Sequence, residues 1–517
     1  MKSKVMKLEE AIGLIKDGDS IATAMANNAG NAEYLMKGLE DRFLSTNSPK
    51  GLTKYSGCGT PSDARLIHPG LLKKYVGAHP GPCIPIMKLI DSNSIEAYGL
   101  PQGVMQHMYR CTASKAPGLL TKTGMGTYVD PRQEGGRLNE AAKDNVCRIM
   151  QIDGEDWLFY KSFNIDVALI RVTTADEYGN ATVEEEINVM EAYTIAAAVK
   201  SCGGKVILQT KYLVAGGALN AKNVSIPAEV VDAVVVVEEP ELYHKQTLTT
   251  YYDPYFSGEL IAPQGAIAQP PEVLNVPEII SRRAVYELFE GAIVNVGLGV
   301  GVGVGSVAAV ENMADRLTFT IETGVFGGTP EPKNNFGAAI NATCYLDHPA
   351  MFDFYNGGNL DITFLGVAEV GADGSVNVSR FGDIKAGRAQ GGFIDITTTA
   401  KKIVFCSTFK SVGMKVEVAN GKLKIIQEGK EPKFIEKVDQ ITFNGEIAAA
   451  KGQEVVYVTE RCVFKLTKDG VMLTEIAPGV DMEKDIFGQM GFRPIVSEDL
   501  RVMDERIFIP GRMGCFD

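Results

Sequence analysis

The chain has little of what several common chemistries require. Its 517 residues include one tryptophan, five histidines and nine cysteines. The cysteines are odd in number and no two form a C-x-x-C pair. That argues against a disulfide framework and a thiolate zinc site, and fits a reducing compartment. His68, His79, His107, His244 and His348 show no H-x-x-x-H or other ligand spacing, so no metal is expected. There is no G-x-S-x-G elbow for Ser-His-Asp chemistry, and no G-K-[ST] follows a glycine run to make a P-loop. Basic residues are in the minority: the net charge is −13 and no basic block interrupts it, so nucleic acid is not an expected partner. No stretch of about 20 apolar residues occurs, so no membrane-spanning helix is expected. The opening "MKSKVMKLEEAIGLI" lacks the apolar run of a signal peptide and carries acids that a transit peptide avoids. The expected location is therefore the cytoplasm.

What is present is a globular composition, 45% apolar and 22% charged, in a chain long enough for roughly three domains of ordinary size. Leu8, Ala11, Ile12 and Ile15 have helical spacing and end at "KDGD", after which "SIATAMA" reads as a strand. The phrase recurs in "RRAVYELFEGAIVNVG", where a shift of 273 residues matches Ala11 with Ala284 and Gly18 with Gly291. A second block, "LTKYSGCG" from Leu52, matches "LTFTIETG" from Leu317 at a shift of 265. A third, "DVALIRVTTADEYGNATV" from Asp166, matches "DITFLGVAEVGADGSVNV" from Asp361 at a shift of 195. Three blocks in one order indicate a duplicated unit.

The difference between the last two shifts places 70 extra residues in the first half, within 65–161. The Pro- and Gly-rich stretch 256–277 reads as a linker between halves 1–255 and 278–517. Apolar strands such as "KVILQTKYLV" and "KKIVFCSTF" alternate with helical segments, so the expected fold class is α/β: two duplicated open domains with mostly parallel sheets. From about Lys410 short alternating strands predict a β-rich C-terminal extension of the second half.

Two segments carry candidate chemistry. "GLGVGVGVG", Gly297 to Gly305, follows a strand but lacks the G-x-G-x-x-G spacing of a dinucleotide site. It is either a tight strand-to-helix turn or a backbone that lets a ligand approach closely. In "LTFTIETGVFGGTPEP", Glu322 ends an apolar strand and precedes a Gly-rich loop. Such an acid is ordinarily solvated surface. Its duplicate position is Gly57, however, so the fold does not require an acid there. A carboxylate is already ionised at neutral pH and can attack an activated carbonyl without a general base.

The segment "FTIETGVFGG" resembles the E-[ST]-G nucleophile segment of the class I CoA-transferases. "VNVGLGVG" is similar to their N-x-G-x-G loop, "YGLPQGVMQHMYR" to their P-Q-G segment and "RAQGGFIDI" to their G-G-[AF] turn. "ITFNGEIA", "YVTERCVF" and "LTEIAPGVD" resemble their C-terminal strands, so the likeness runs over essentially the whole chain. "YDPYFSGE", "NVSRFG" and "FCSTF" favour the single-chain propionate and acetate CoA-transferase branch.

This resemblance implies a ping-pong transfer of CoA between a short-chain acyl-CoA and a free carboxylate through a glutamyl-CoA thioester on Glu322. It implies oxyanion donors at Gln102, Gly392 and Phe393, and contacts to CoA from Asn295, Gly297 and Gly299. Lys385 and Arg388 are candidates for the CoA phosphates or an ordinary solvated pair. CoA would enter as part of the substrate, with no permanently bound cofactor, and the protein would be a homo-oligomer, dimer or tetramer. The sequence departs from the family at "MANNAG", Met25 to Gly30, at Gly301 where a proline is usual, and at "GAHPGPC", Gly77 to Cys83. These departures bear on the acyl pocket rather than on the nucleophile. An acyl-CoA hydrolase using the same Glu322 and a non-catalytic CoA-binding protein remain the alternatives.

Overall fold

Uninterrupted apolar, β-branched runs require a sheet covered on both faces, and the computed structural model of the chain contains two. It describes residues 2–24, 29–263, 270–297, 299, 301, 303–331, 333–380, 387–388 and 390–517. In the first sheet the strands lie in the order Ala233–Val236, Lys205–Val214, Val167–Asp176, Ser20–Thr23, Leu52–Ser56, Leu72–Gly77 and Glu96–Gly99, all parallel. All ten residues of Val167–Asp176 are buried.

The second sheet repeats the first five strands of this order. Glu454–Val458, Lys402–Cys406, Ile362–Gly366, Ile293–Val296 and Thr318–Ile321 are parallel neighbours. Antiparallel Val325–Phe326 and Cys344–Tyr345 extend one side. Cys462–Thr467, Gly470–Ile476 and Ile495–Val502 extend the other, giving the expected β-rich addition. Glu454–Val458 differs from the sequence reading: four of its five residues are buried, and it pairs in parallel with Lys402–Cys406 rather than belonging to the alternating tail. Side chains alternate between two cores as the pleat dictates. Val404, Cys406, Val456 and Val458 enter one cluster, and Ile403, Phe405, Val455 and Tyr457 the other.

The duplication is visible bond by bond. Gly18 and Gly291 have φ of 82° and 81°, a left-handed turn that glycine makes without strain. Asp166 accepts from the Ser20 amide at 2.8 Å, and Asp361 from the Ile293 amide at 2.9 Å. Downstream, Thr174 pairs with Thr182 and Ala175 with Ala181; Glu369 pairs with Asn377 and Val370 with Val376 in the same register.

The halves diverge where the shifts differ. In the first, Leu72–Gly77 and Glu96–Gly99 lengthen the parallel sheet, the helix Gln102–Ala113 follows, and Gly118–Thr121, Glu155–Lys161 and Arg148–Ile152 form a separate antiparallel sheet. The helix Gln102–Ala113 packs against His348–Asn356 and Phe393–Thr399 of the second half. Ala338 and Ile394 join the apolar core of the first half. The carboxyl ends of the parallel strands, where α/β folds bind ligands, meet at this junction.

Candidate active site

Six strand ends supply the site. Cys58, His79 and Gln102 follow the strands ending at Ser56, Gly77 and Gly99; Gly297, Glu322 and Val367 follow those ending at Val296, Ile321 and Gly366. Together they line a cavity of about 330 Å³. Its apolar wall comes from Phe336, Leu365, Val367, Val378, Phe393 and Ile396.

Glu322 lines the cavity with 9% of its surface exposed. The chain turns at once behind it: the Gly324 amide donates to the Ile321 carbonyl at 3.0 Å. Gly324 has φ of 117°, and a Cβ there would lie 2.1 Å from the Leu346 carbonyl oxygen, so only glycine fits. Neighbouring Thr323 donates through its hydroxyl to Asn188 Oδ1 of the first half at 3.1 Å.

Beneath the strand a polar chain is fully buried. The amide of Asn295 donates to the Tyr355 hydroxyl at 3.2 Å, which donates to Thr320 Oγ1 at 2.8 Å, which donates to the Val294 carbonyl at 3.0 Å. Asn295 Oδ1 accepts from Thr363 at 3.0 Å. Burial pushes the Tyr355 hydroxyl far above its ordinary pKa; the bond to Thr320 offsets part of this and the charge of Glu322 adds to it. The hydroxyl is thus a fixed neutral donor near Glu322.

The facing wall is the turn at residues 390–393. Its glycines leave room for the side chains around them. A Cβ on Gly392 would sit 3.6 Å from Glu322 Cγ; one on Gly391, whose φ is 61°, would sit 3.0 Å from Gln102 Oε1. The turn is bound to the first half from two directions: the Gly391 carbonyl accepts from the Gln102 amide at 3.1 Å, and the Gly391 amide donates to the Ala78 carbonyl at 2.9 Å. Asp395, fully buried one turn later, accepts from the Gly103 amide at 3.0 Å. Burial raises its pKa to about 7, with bonds from the Gly103, Asp395 and Val104 amides opposing the shift.

The residues singled out in the sequence fall into three groups. Glu322, Gln102, Gly392, Phe393, Asn295 and Gly297 all line the one cavity. The Phe393 amide already donates to the Gln390 carbonyl at 3.2 Å, and the Asn295 side chain is engaged in the network under the strand. Gly299, with φ of 107°, and Arg388 are not among the lining residues; the Arg388 carbonyl lies 3.2 Å from His79 Nδ1. Lys385 lies outside the described residues.

Sequence reasoning missed Cys58, His79, Asn188, His348 and Asp395. For Cys58 a signal existed: at the shift of 265 it corresponds to Thr323, so the first-half copy of the nucleophile turn faces the same cavity. For the others the signal is contact between distant segments, which spacing along the chain does not carry.

Among the described residues no cluster of three or more His, Cys, Asp or Glu could hold a metal ion, and no helix is long and apolar enough to cross a membrane. What the cavity offers is a buried carboxylate facing a glycine turn and a buried amide.

Known proteins resemble this chain over nearly its full length. The family model described as coenzyme A transferase matches residues 5–237. A caffeate CoA-transferase of Acetobacterium woodii is 40% identical over 516 residues, 98% of this chain and 97% of that protein. The acetate CoA-transferase YdiF of Escherichia coli O157:H7 is 40% identical over 520 residues, 99% of this chain and 96% of that protein. A crystal structure of the acyl-CoA transferase YdiF from E. coli O157:H7, a thioester complex with CoA, superposes with a TM-score of 0.92 at 38% identity, covering 99% of this chain and 97% of that one.

Proposed function

The chain belongs to the coenzyme A transferase family, and from that premise we propose that it moves CoA between a short-chain acyl-CoA and a free carboxylate through a glutamyl-CoA thioester on Glu322. The observation that carries this reading is the placement of Glu322 against Gly392, with Gln102 on the same cavity. A Glu322 oxygen attacks the thioester carbonyl; the C–S bond breaks and CoA leaves as thiolate, giving an acyl-glutamyl anhydride. The thiolate then attacks the glutamyl carbonyl and displaces the carboxylate product. An incoming carboxylate reverses both steps.

Each attack develops negative charge on a carbonyl oxygen, which preorganised donors stabilise. In this reading the Gln102 side chain and the Gly392 backbone serve it, supported by their lining the same cavity as Glu322. The Phe393 amide joins them only if it exchanges its bond to Gln390. Gly297 and Gly299 leave room for CoA near the second-half strand ends.

The relatives named for acetate and for caffeate stand at equal identity. The modest cavity and its apolar wall support a short, uncharged acyl chain such as acetyl, propionyl or butyryl, since small-ligand pockets begin near 300 Å³.

The test is a kinetic matrix of acetyl-CoA against propionate. The expected result is a set of parallel double-reciprocal lines, with label exchange between acetyl-CoA and acetate in the absence of propionate. Intersecting lines without exchange would overturn the covalent route. Release of CoA at the full rate with no acid present would identify a hydrolase instead.

A further inference from the structure

Gln102 is held by a relay of buried groups. His348 begins the helix His348–Asn356 and is fully buried; its Nδ1 lies 2.8 Å from Glu191 Oε2 and its Nε2 lies 2.7 Å from Gln102 Nε2. With the Glu191 oxygen as acceptor, the ring carries its proton on Nδ1 and leaves Nε2 as an acceptor. That fixes the other end: the Gln102 amide nitrogen must donate to His348, and its Oε1 faces Cys58 Sγ at 3.4 Å. One amide hydrogen is used by the histidine, and the second is the only other donor of this side chain, which lines the cavity. With the opposite tautomer the amide would turn over and present oxygen where nitrogen now stands.

The scaffold is built to hold this arrangement. Met190, just before Glu191, has φ of 55°, uncommon for a residue other than glycine, and its carbonyl accepts from the His348 amide at 3.1 Å. The imidazole also packs on Phe352, ring centroids 5.4 Å apart. Glu191 and Gln102 belong to the first half and His348 to the second, so the relay forms only when the halves are together. We infer that Glu191 and His348 are positioning residues: the dyad sets which end of the Gln102 amide meets the developing oxyanion. The inference rests on the transferase reading above.

A double-mutant cycle on kcat tests it. His348→Phe is expected to lower kcat about ten- to a hundredfold while the KM for acetyl-CoA stays within about twofold, the split expected when only transition-state contacts are lost. His348→Gln, which restores an acceptor near the Nε2 position, is expected to recover most of the loss. Gln102→Leu combined with His348→Phe is expected to be no slower than Gln102→Leu alone. Should His348→Phe fail to fold, Glu191→Leu, which frees the ring to take the other tautomer, replaces it in the same cycle. Additive losses, or wild-type kcat in either single variant of the dyad, would overturn the relay. CoA adduct formation on Glu322 is measured alongside in the wild-type enzyme. No adduct there would overturn the transferase reading, whereas adduct with additive losses would overturn the relay alone.

Discussion

At Gly392 the room for a substrate carbonyl depends on a missing side chain. Its backbone is not left-handed, and an added methyl would lie 3.3 Å from Ile396 Cδ1, 3.3 Å from Phe352 Cζ and 3.6 Å from Glu322 Cγ. Gly392→Ala is therefore expected to fold with a stability change within about 1 kcal/mol, because side-chain tips can yield a few tenths of an ångström. Its kcat is expected to fall about ten- to a hundredfold, because a displaced reacting carbon loses its alignment with the carboxylate. Thermal melts and steady-state rates on the same preparation check both halves of that expectation; an unimpaired kcat would mean that the substrate does not pass between Gly392 and Glu322. The residue scale is also where sequence reading was most and least successful. Glu322 stood out because its duplicate is glycine, whereas Asp395 looked like one more helix acid until the fold buried it against the Gly103 amide.

Among the elements, the helix Gln102–Ala113 has the most unusual entry. Its N-cap is Pro101, which offers no side-chain acceptor, and its first amides are met from the other half of the molecule by Gly391 and Asp395. The consequence is a pH dependence. Asp395 titrates near 7 in the fold, against an ordinary value of 3.8, so the fold favours its protonated form. Its contribution is full below the unfolded value and is lost as pH rises through about 7, by on the order of 4 kcal/mol. Asp395→Asn keeps an acceptor for Gly103 and cannot ionise. The melting temperature of this variant relative to wild type is expected to climb between pH 4 and 7 and level off above, in a series of thermal melts at fixed ionic strength. A gap independent of pH would show that Asp395 does not titrate in the fold as described. Strands were legible in the sequence because a buried parallel strand is an apolar run. This helix entry was not, because its caps are 289 and 292 residues away from the amides they satisfy.

At the scale of the whole molecule, duplication is what makes the site. Two copies of one strand order bring the carboxyl ends of their sheets to a shared junction, and the first copy contributes the amide while the second contributes the carboxylate. The shifts of 273, 265 and 195 announced that duplication, down to matched aspartates and matched turn glycines. They could not show how the two copies face one another, since that follows from the helix Gln102–Ala113 packing against His348–Asn356 and Phe393–Thr399. The proposed chemistry turns on one atom of that junction, the carboxyl carbon of Glu322. The enzyme is incubated with acetyl-CoA and no acceptor acid, treated with borohydride, which reduces a thioester to an alcohol and spares a carboxylate, and digested for peptide mass spectrometry. Reduction is expected at Glu322 and at no other glutamate. An unmodified Glu322 in folded protein, with propionyl- and butyryl-CoA also tried, would contradict the proposed chemistry.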